Sequence, residues 1–346
     1  MKNSNVAIFI PFLGCPQKCS FCNQSDITGE KISQPTLEEV RDIIKNSVSY
    51  LKENIYDSEI AFFGGSFTAI DRDYMINLLK TACTYVEKYN FKGIRISTRP
   101  DAINDEILDI LKEHKVTAIE LGTQSMDDEV LKLNNRGHTV EDTINAAKKI
   151  KQYDFSLGLQ MMIGLYGDTK EKSIDSAKKI AELSPDTIRI YPCIVIKGTK
   201  LEELYNKKIF KPFSIETAVN ICSELIPFFE EKNIKIIRVG LHSEQDLVNN
   251  IIVGPYHPAF KELCENEIYY KIILEKIKIK INDDENNNCL KIFVKQSEIS
   301  KAIGQHKINL KRLNDLGYNI KFCIDNNLKK YQIKIAIIKG ENSKCF

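Results

Sequence analysis

No stretch of this sequence approaches the roughly 18 uninterrupted apolar residues that a membrane span needs. Its start carries no secretory signal either. Met1-Lys2-Asn3-Ser4-Asn5 runs into the strand-like Val6-Ala7-Ile8-Phe9-Ile10, which is too short and lacks a small-residue cleavage site. These absences predict a cytoplasmic protein with no membrane partner. Regularly paired cysteines are also missing. Seven of the ten (Cys83, Cys193, Cys222, Cys264, Cys289, Cys323 and Cys345) lie far apart and read as small buried hydrophobes. Structural disulfides are not expected in a reducing compartment. No long internal repeat is visible.

A strong net charge is absent too, since the formal balance is +2. That balance hides an asymmetry. Residues 271–346 hold 16 Lys and Arg against 8 Asp and Glu, a net +8, which leaves −6 for the remainder. A basic tail on an acidic body suggests an anionic partner, with nucleic acid the first candidate. The plainer alternative is a solvated Lys-rich surface. The 346 residues, 43% hydrophobic and 28% charged, suffice for one large domain or a large one with a small one.

Short apolar runs near 6–11, 58–63, 93–98, 116–121, 156–162, 187–193 and 234–239 alternate with amphipathic stretches near 36–53, 72–89, 103–114, 139–152, 169–182 and 214–232. Strands alternating with helices predict βαβ units on a parallel sheet. This many units in 1–240 suit a complete or partial barrel, of (β/α)6 type, with functional residues at the C-terminal strand ends. Thr36 followed by Glu39 is a capping-box pattern for the first long helix. Residues 241–275 are less regular and read as an extension of the barrel or a linker. The strict alternation Lys276-Ile277-Lys278-Ile279-Lys280-Ile281 predicts a half-buried strand. A polar turn, a strand at 290–295, two short helices around Gly304 and strands near 318–324 and 331–338 follow. Residues 276–346 thus read as a small basic α+β domain.

The chemistry-bearing motif is Gly14-Cys15-Pro16-Gln17-Lys18-Cys19-Ser20-Phe21-Cys22, a C-x3-C-x2-C spacing directly after the first strand. Three thiolates on a short loop suit a four-iron cluster. They leave one iron without a protein ligand, as a catalytic site needs. Zinc would want a fourth N or S ligand, and no second CxxC or nearby His pair supplies it. A redox CxxC needs no third cysteine. After the second strand stands Phe63-Gly64-Gly65-Ser66-Phe67-Thr68, where the glycines permit close backbone approach to a ligand.

The cysteine motif resembles the radical S-adenosylmethionine (SAM) superfamily. That resemblance implies one [4Fe-4S] cluster on Cys15, Cys19 and Cys22, completed by SAM, and reductive cleavage of SAM to methionine and a 5′-deoxyadenosyl radical. It also implies an external electron donor such as a flavodoxin or ferredoxin. Further strings resemble one subgroup, the radical SAM catalytic subunit of Elongator and its bacterial relatives. They are Ser97-Thr98-Arg99-Pro100-Asp101, Glu120-Leu121-Gly122-Thr123-Gln124-Ser125, Asn135-Arg136-Gly137-His138-Thr139, Met162-Ile163-Gly164-Leu165-Tyr166-Gly167 and Ile190-Tyr191-Pro192-Cys193 running on to Gly198-Thr199. The resemblance places Gly65 and Ser66, backed by Gly64, at the SAM amino group. It places Ser97, Gln124, Arg136, Gln160 and Val195 toward SAM, and Phe21 near the cluster or adenine. Residue chemistry agrees: Arg136 is a fixed cation suited to a carboxylate, and Gln124 and Gln160 suit ribose hydroxyls. The length leaves no room for Elongator's acetyltransferase domain, and the N-terminal extension associated with RNA contact there is not seen. Acetyl transfer is therefore not expected. His242 and His257 are candidate substrate contacts or ordinary loop histidines.

Ser297 to Leu310 resembles a KH domain, whose GXXG loop clamps a nucleic-acid backbone. The loop reads Gly304-Gln305-His306-Lys307, without the second glycine. Lys301, Lys307, Lys311 and Arg312 are candidate phosphate partners. The sequence thus points to a radical SAM enzyme acting on RNA, first of all tRNA. The alternatives are a radical SAM enzyme for a small molecule or protein with a structural KH-like domain, and a non-catalytic iron–sulfur RNA-binding protein. No catalytic residue beyond the cofactor set is identifiable.

Overall fold

The computed structural model describes residues 5–11, 15, 18–23, 34–242, 245–280 and 289–338. The chain forms two compact units. One comprises Met1–Ala218 with Phe228–Tyr256, the other Val219–Pro227 with His257–Phe346.

The first unit is built on β1 (Val6–Ile10), α1 (Leu37–Leu51), β2 (Glu59–Gly64), α2 (Arg72–Tyr89), β3 (Gly93–Thr98), α3 (Asp105–Glu113), β4 (Val116–Gln124), α4 (Asp128–Leu133), α5 (Val140–Gln152), β5 (Ser156–Ile163), α6 (Lys170–Glu182) and β6 (Thr187–Pro192). It continues through β7 (Val195–Ile196), α7 (Lys200–Asn206), the two ends of α8 (Ile215–Glu231, of which Val219–Pro227 belongs to the second unit), β8 (Lys235–Val239), α9 (Gln245–Asn250) and β9 (Ile251–Val253). Seven strands form one sheet in the order β1-β2-β3-β4-β5-β6-β8, every pair parallel. This is the curled half-barrel that the βα alternation predicts.

The strands alternate with a purpose. In β3, Ile94 and Ile96 are buried toward the helices, while Arg95 and Ser97 line the interior cavity. In β5, Leu157, Leu159 and Met161 are buried and Gln160 lines the cavity. β6 repeats the pattern, with Ile188 and Ile190 buried and Arg189 and Tyr191 inside. A period of two sends apolar residues to the helical layer and polar ones to the lumen. Outside, α2 buries Met75, Leu78, Leu79, Ala82 and Val86 at helical spacing. Losing the Leu78 side chain there would cost about 3 kcal/mol. The capping box at α1 forms: Thr36 Oγ1 accepts from Glu39 N at 3.2 Å, and Glu39 Oε2 accepts from Thr36 N at 2.6 Å.

The second unit contains α10 (Phe260–Lys280), β10 (Cys289–Val294), α11 (Ile299–Ile303), α12 (Ile308–Asp315), β11 (Asn319–Ile324) and β12 (Lys334–Ile338). Its sheet order is β11-β10-β12, with β10 parallel to β11 and antiparallel to β12. One expectation is corrected. The Lys-Ile alternation from 276 is the last turn of α10 rather than a strand (residue 281 lies outside the described residues). Tyr269, Ile273 and Ile277, spaced by four, are buried in the core of this unit, whereas Ile279 is 78% exposed. The helix was already running from Phe260, so its spacing of four decided the matter over the local alternation. The second unit accordingly takes in all of α10, running from His257 onward, together with Val219–Pro227.

Candidate functional site

The C-terminal strand ends of the half-barrel open onto a cavity of about 700 Å³. Cys15, Cys19 and Cys22 line it together with Phe21, Gly64, Gly65, Ser66, Ser97, Gln124, Arg136 and Gln160. Residues spread over 145 positions of sequence thus meet on one wall. Val195 does not line the cavity. It is fully buried in a cluster with Cys193, Leu165 and Leu201, against which Phe21 packs. Its place in the site is behind Phe21. His242 lines the cavity, but His257 belongs to the other unit, where its Nδ1 accepts from Ala259 N at 3.1 Å as a loop cap.

The described part of the cysteine loop is held chiefly by a tripeptide after α4. Asn134 Oδ1 accepts from Ser20 Oγ at 2.6 Å, and its carbonyl accepts from Ser20 N at 3.1 Å. Asn135 Nδ2 donates to the Lys18 carbonyl at 2.9 Å. Arg136 Nη1 donates to Cys19 Sγ at 3.0 Å, and its Nη2 to the Gly122 carbonyl at 2.7 Å. Asn134 is fully buried and anchors the grip by donating to the Val130 and Tyr166 carbonyls, each at 2.8 Å. From the other side, Leu201 N donates to the Ser20 carbonyl at 2.9 Å, and Asn23 Nδ2 donates to the Lys197 carbonyl at 2.9 Å. Asn134 and Ser20 were missed in the sequence, because nothing local distinguishes a buried amide from a surface one.

The glycine loop shows why small residues stand there. Gly64 has φ +120°, and a Cβ on it would lie 2.6 Å from the Ile10 carbonyl. Gly65 N donates to that same carbonyl at 2.7 Å, so its own carbonyl, rather than its N–H, remains for a ligand. Ser66 Oγ lies 3.5 Å from Cys15 Sγ. Gln124 takes a left-handed φ of 65° at the end of β4. Its Oε1 and Arg136 Nε are buried with no partner. Such orphaned atoms are costly unless a ligand satisfies them.

Deeper in the lumen lies a chain of buried charges. Glu59 accepts from Arg95 Nε at 2.7 Å, and Glu120 accepts from Arg95 Nη1 at 3.3 Å and from Arg189 Nε at 2.8 Å. The signs alternate along it, which lets charge be buried at all.

Among the described residues no three of Cys, His, Asp or Glu already converge as a metal site. The three cysteines are free and intermediate in exposure, and the Arg136 guanidinium donates to the sulfur of Cys19. Thiolate donors, an anion-ready arginine, orphaned polar atoms and a glycine cradle fit an iron–sulfur cluster with a polar organic partner.

In the second unit, Gly304 to Lys307 connects α11 to α12. Gly304 has φ +83°, and a Cβ there would lie 2.7 Å from Ile308 Cγ2. Two expected phosphate partners are already engaged. Lys301 Nζ is paired with Glu265 at 3.2 Å and Glu298 at 3.3 Å. Arg312 is paired with Glu267 at 2.6 Å and stacks on Tyr270 at 3.4 Å. Lys307 and Lys311 are exposed. Glu265 and Glu267 of α10 lie upstream of residue 271, outside the basic segment, and neutralise part of its charge.

Comparison with known proteins follows the same outline. A family model described as the Radical SAM superfamily matches residues 9–180, and one described as the Radical SAM C-terminal domain matches 185–270. The chain is 31% identical over 185 residues to the tRNA uridine(34) acetyltransferase of Methanocaldococcus infernus, covering 48% of this chain and 35% of that protein. It is 30% identical over 229 residues to an uncharacterised protein of Methanocaldococcus jannaschii, covering 65% of this chain and 67% of that one. The solved structure of archaeal Methanocaldococcus infernus Elp3 with an N-terminal deletion superposes with a TM-score of 0.58 at 26% identity, covering 69% of this chain and 59% of that one. The match thus spans about a third of the length of the acetyltransferase relative.

Proposed function

This chain belongs to the radical SAM superfamily, and on that premise we propose that it is a [4Fe-4S] enzyme that cleaves SAM reductively and acts on RNA, tRNA first. The observation that carries the reading is the shared wall of Cys15, Cys19 and Cys22 with Gly65, Ser66, Gln124, Arg136 and Gln160. Cys15, Cys19 and Cys22 would hold the cluster, which would supply the electron for reductive cleavage of SAM to methionine and a 5′-deoxyadenosyl radical able to abstract a substrate hydrogen. An external one-electron donor such as a flavodoxin or ferredoxin provides that electron.

The residues of the chain bind, orient and shield. Arg136 places its charge beside Cys19 and leaves Nε for a carboxylate. The Gly65 carbonyl and Ser66 hydroxyl offer acceptors to an ammonium group. Gln124 Oε1 offers an acceptor to a hydroxyl, and Ser97 lies on the same wall. Phe21 covers the loop with an apolar face backed by Val195. Ala61, Phe62 and Phe63 line the same space and exclude water from a reactive species. His242 is the contact proposed toward substrate. The reducing cytoplasm suits the thiols, all free among the described cysteines.

The tRNA part of the proposal is supported by the name of the acetyltransferase relative, by the two short helices meeting at a KH-like loop, and by exposed Lys307 and Lys311. The pairing of Lys301 and Arg312 with glutamates favours a second reading, a small-molecule or protein substrate with a structural second unit. Anaerobic turnover of SAM with reductant, with and without bulk tRNA, tests both. The RNA reading expects 5′-deoxyadenosine formation that rises with tRNA. Turnover indifferent to every RNA supports the second reading. No cleavage by protein with an intact cluster overturns both.

A further inference from the structure

Glu120 sits in the barrel interior, 2% exposed, and has no part in the ligand set proposed above. Its Oε2 accepts from Arg189 Nε at 2.8 Å and from Gln160 Nε2 at 3.2 Å. Its Oε1 accepts from Arg189 Nη2 at 3.1 Å and from Arg95 Nη1 at 3.3 Å. The two guanidiniums already answer the carboxylate's charge. Burial opposes its ionisation, but Arg189 and Arg95 outweigh burial and hold the carboxyl below the ordinary carboxylate range. The contact with Gln160 therefore matters chiefly for Gln160.

A primary amide has one end that donates and one that accepts, and an ionised carboxylate can only accept. Facing Glu120, Gln160 must present its nitrogen. Its Oε1 is then the end left for the cavity that Gln160 lines. The backbone makes room for this arrangement. Gly158 stands opposite Glu120 in the β4–β5 register, and Gln160 follows two residues later on the same face. A Cβ at 158 would lie 2.7 Å from Glu120 Cγ and 2.9 Å from Thr187 Oγ1. Only glycine leaves the Glu120 side chain its path across β5.

We propose that Glu120 is a positioning residue for Gln160. It holds the amide nitrogen, leaves Oε1 for the cavity, and so makes position 160 an acceptor that selects a hydroxyl or amine hydrogen on the bound adenosyl ligand. The inference rests on the placement of Gln160 in the SAM-binding wall, and the test separates the two.

Equilibrium dialysis of SAM on cluster-reconstituted protein, without reductant, reads affinity with no turnover. Gln160→Met is expected to weaken binding about fivefold, the worth of one hydrogen bond. Glu120→Gln is expected to weaken it by a similar factor in the otherwise unaltered protein and to add nothing in the Q160M background. Glu120→Asp keeps the charge for both arginines while withdrawing the carboxylate from Gln160. It should show the same dependence on Gln160, and it serves where E120Q does not fold. If the Glu120 variants weaken binding by equal factors in both backgrounds, Glu120 is only structural and the inference falls. If Q160M alone leaves SAM affinity unchanged, the placement of Gln160 fails first and the inference with it.

Discussion

At the scale of single residues, the sharpest contact is Arg136 on Cys19. It ties one of the three sulfurs to the barrel wall, and Cys19→Ala is expected to abolish the visible absorbance of the reconstituted cluster. Retention of that absorbance would contradict the ligand set. Two residues on, His138 is buried, with Nε2 3.3 Å from the Thr123 carbonyl and Nδ1 unpartnered. Burial, helped by the Arg136 charge, pushes its pKa down to about 4. An unfolded histidine titrates near 6.5. Between those values the unfolded chain binds a proton that the folded chain refuses, so stability rises with pH across the window. The contribution is complete above about pH 6.5 and is lost as pH falls toward 4, on the order of 3 kcal/mol at most. Urea unfolding at pH 7 and pH 5 should show the drop, and His138→Gln should flatten it. An unchanged slope in H138Q would assign the pH dependence elsewhere.

At the scale of elements, two loops show what spacing alone conveys and what it does not. The missing second glycine of the Gly304–Lys307 loop was readable. That the chain still bends there as though glycine were present was not. His306 and Lys307 both adopt left-handed φ, 52° and 61°. Such a residue costs about 1–2 kcal/mol without glycine, so Lys307→Gly is expected to stabilise the protein by roughly 1 kcal/mol. Gly304→Ala should destabilise it more, since φ and the Ile308 contact both oppose a Cβ. Chemical denaturation of the two variants decides the signs. The grip of residues 134–136 on the cysteine loop is the other case. Asn134→Ala leaves Ser20 Oγ without its buried acceptor, a cost of about 1–3 kcal/mol. Faster cluster loss to a chelator at unchanged secondary structure is the expected result, and loss at the ordinary rate would show that the grip is dispensable.

At the scale of the whole chain, charge was legible as a count but not as a free surface. The glutamates of α10 claim Lys301 and Arg312, while Lys307 and Lys311 stay exposed. Replacing Lys307 and Lys311 together with Gln is therefore expected to lower the slope of log affinity against log salt for tRNA by roughly two. Lys301→Gln should leave that slope nearly unaltered. Equal effects of the two changes would mean that the pairing around Lys301 opens on binding.

The order of the βα units, the Thr36–Glu39 cap and the three-thiol loop after β1 were legible in the sequence alone. Each depends on periodicity or on neighbours a few residues apart. At residues 276–280 the sequence misled, because a period of two and a period of four overlap there and the longer helix wins. Tertiary structure alone decided which side chains meet. Arg136 reaches a sulfur 117 residues upstream, Val195 falls behind Phe21 instead of on the wall, and Glu120 finds Gln160 through the β4–β5 register. The reason is physical: strand register and buried hydrogen bonding are set by the packed sheet, and no local pattern encodes them.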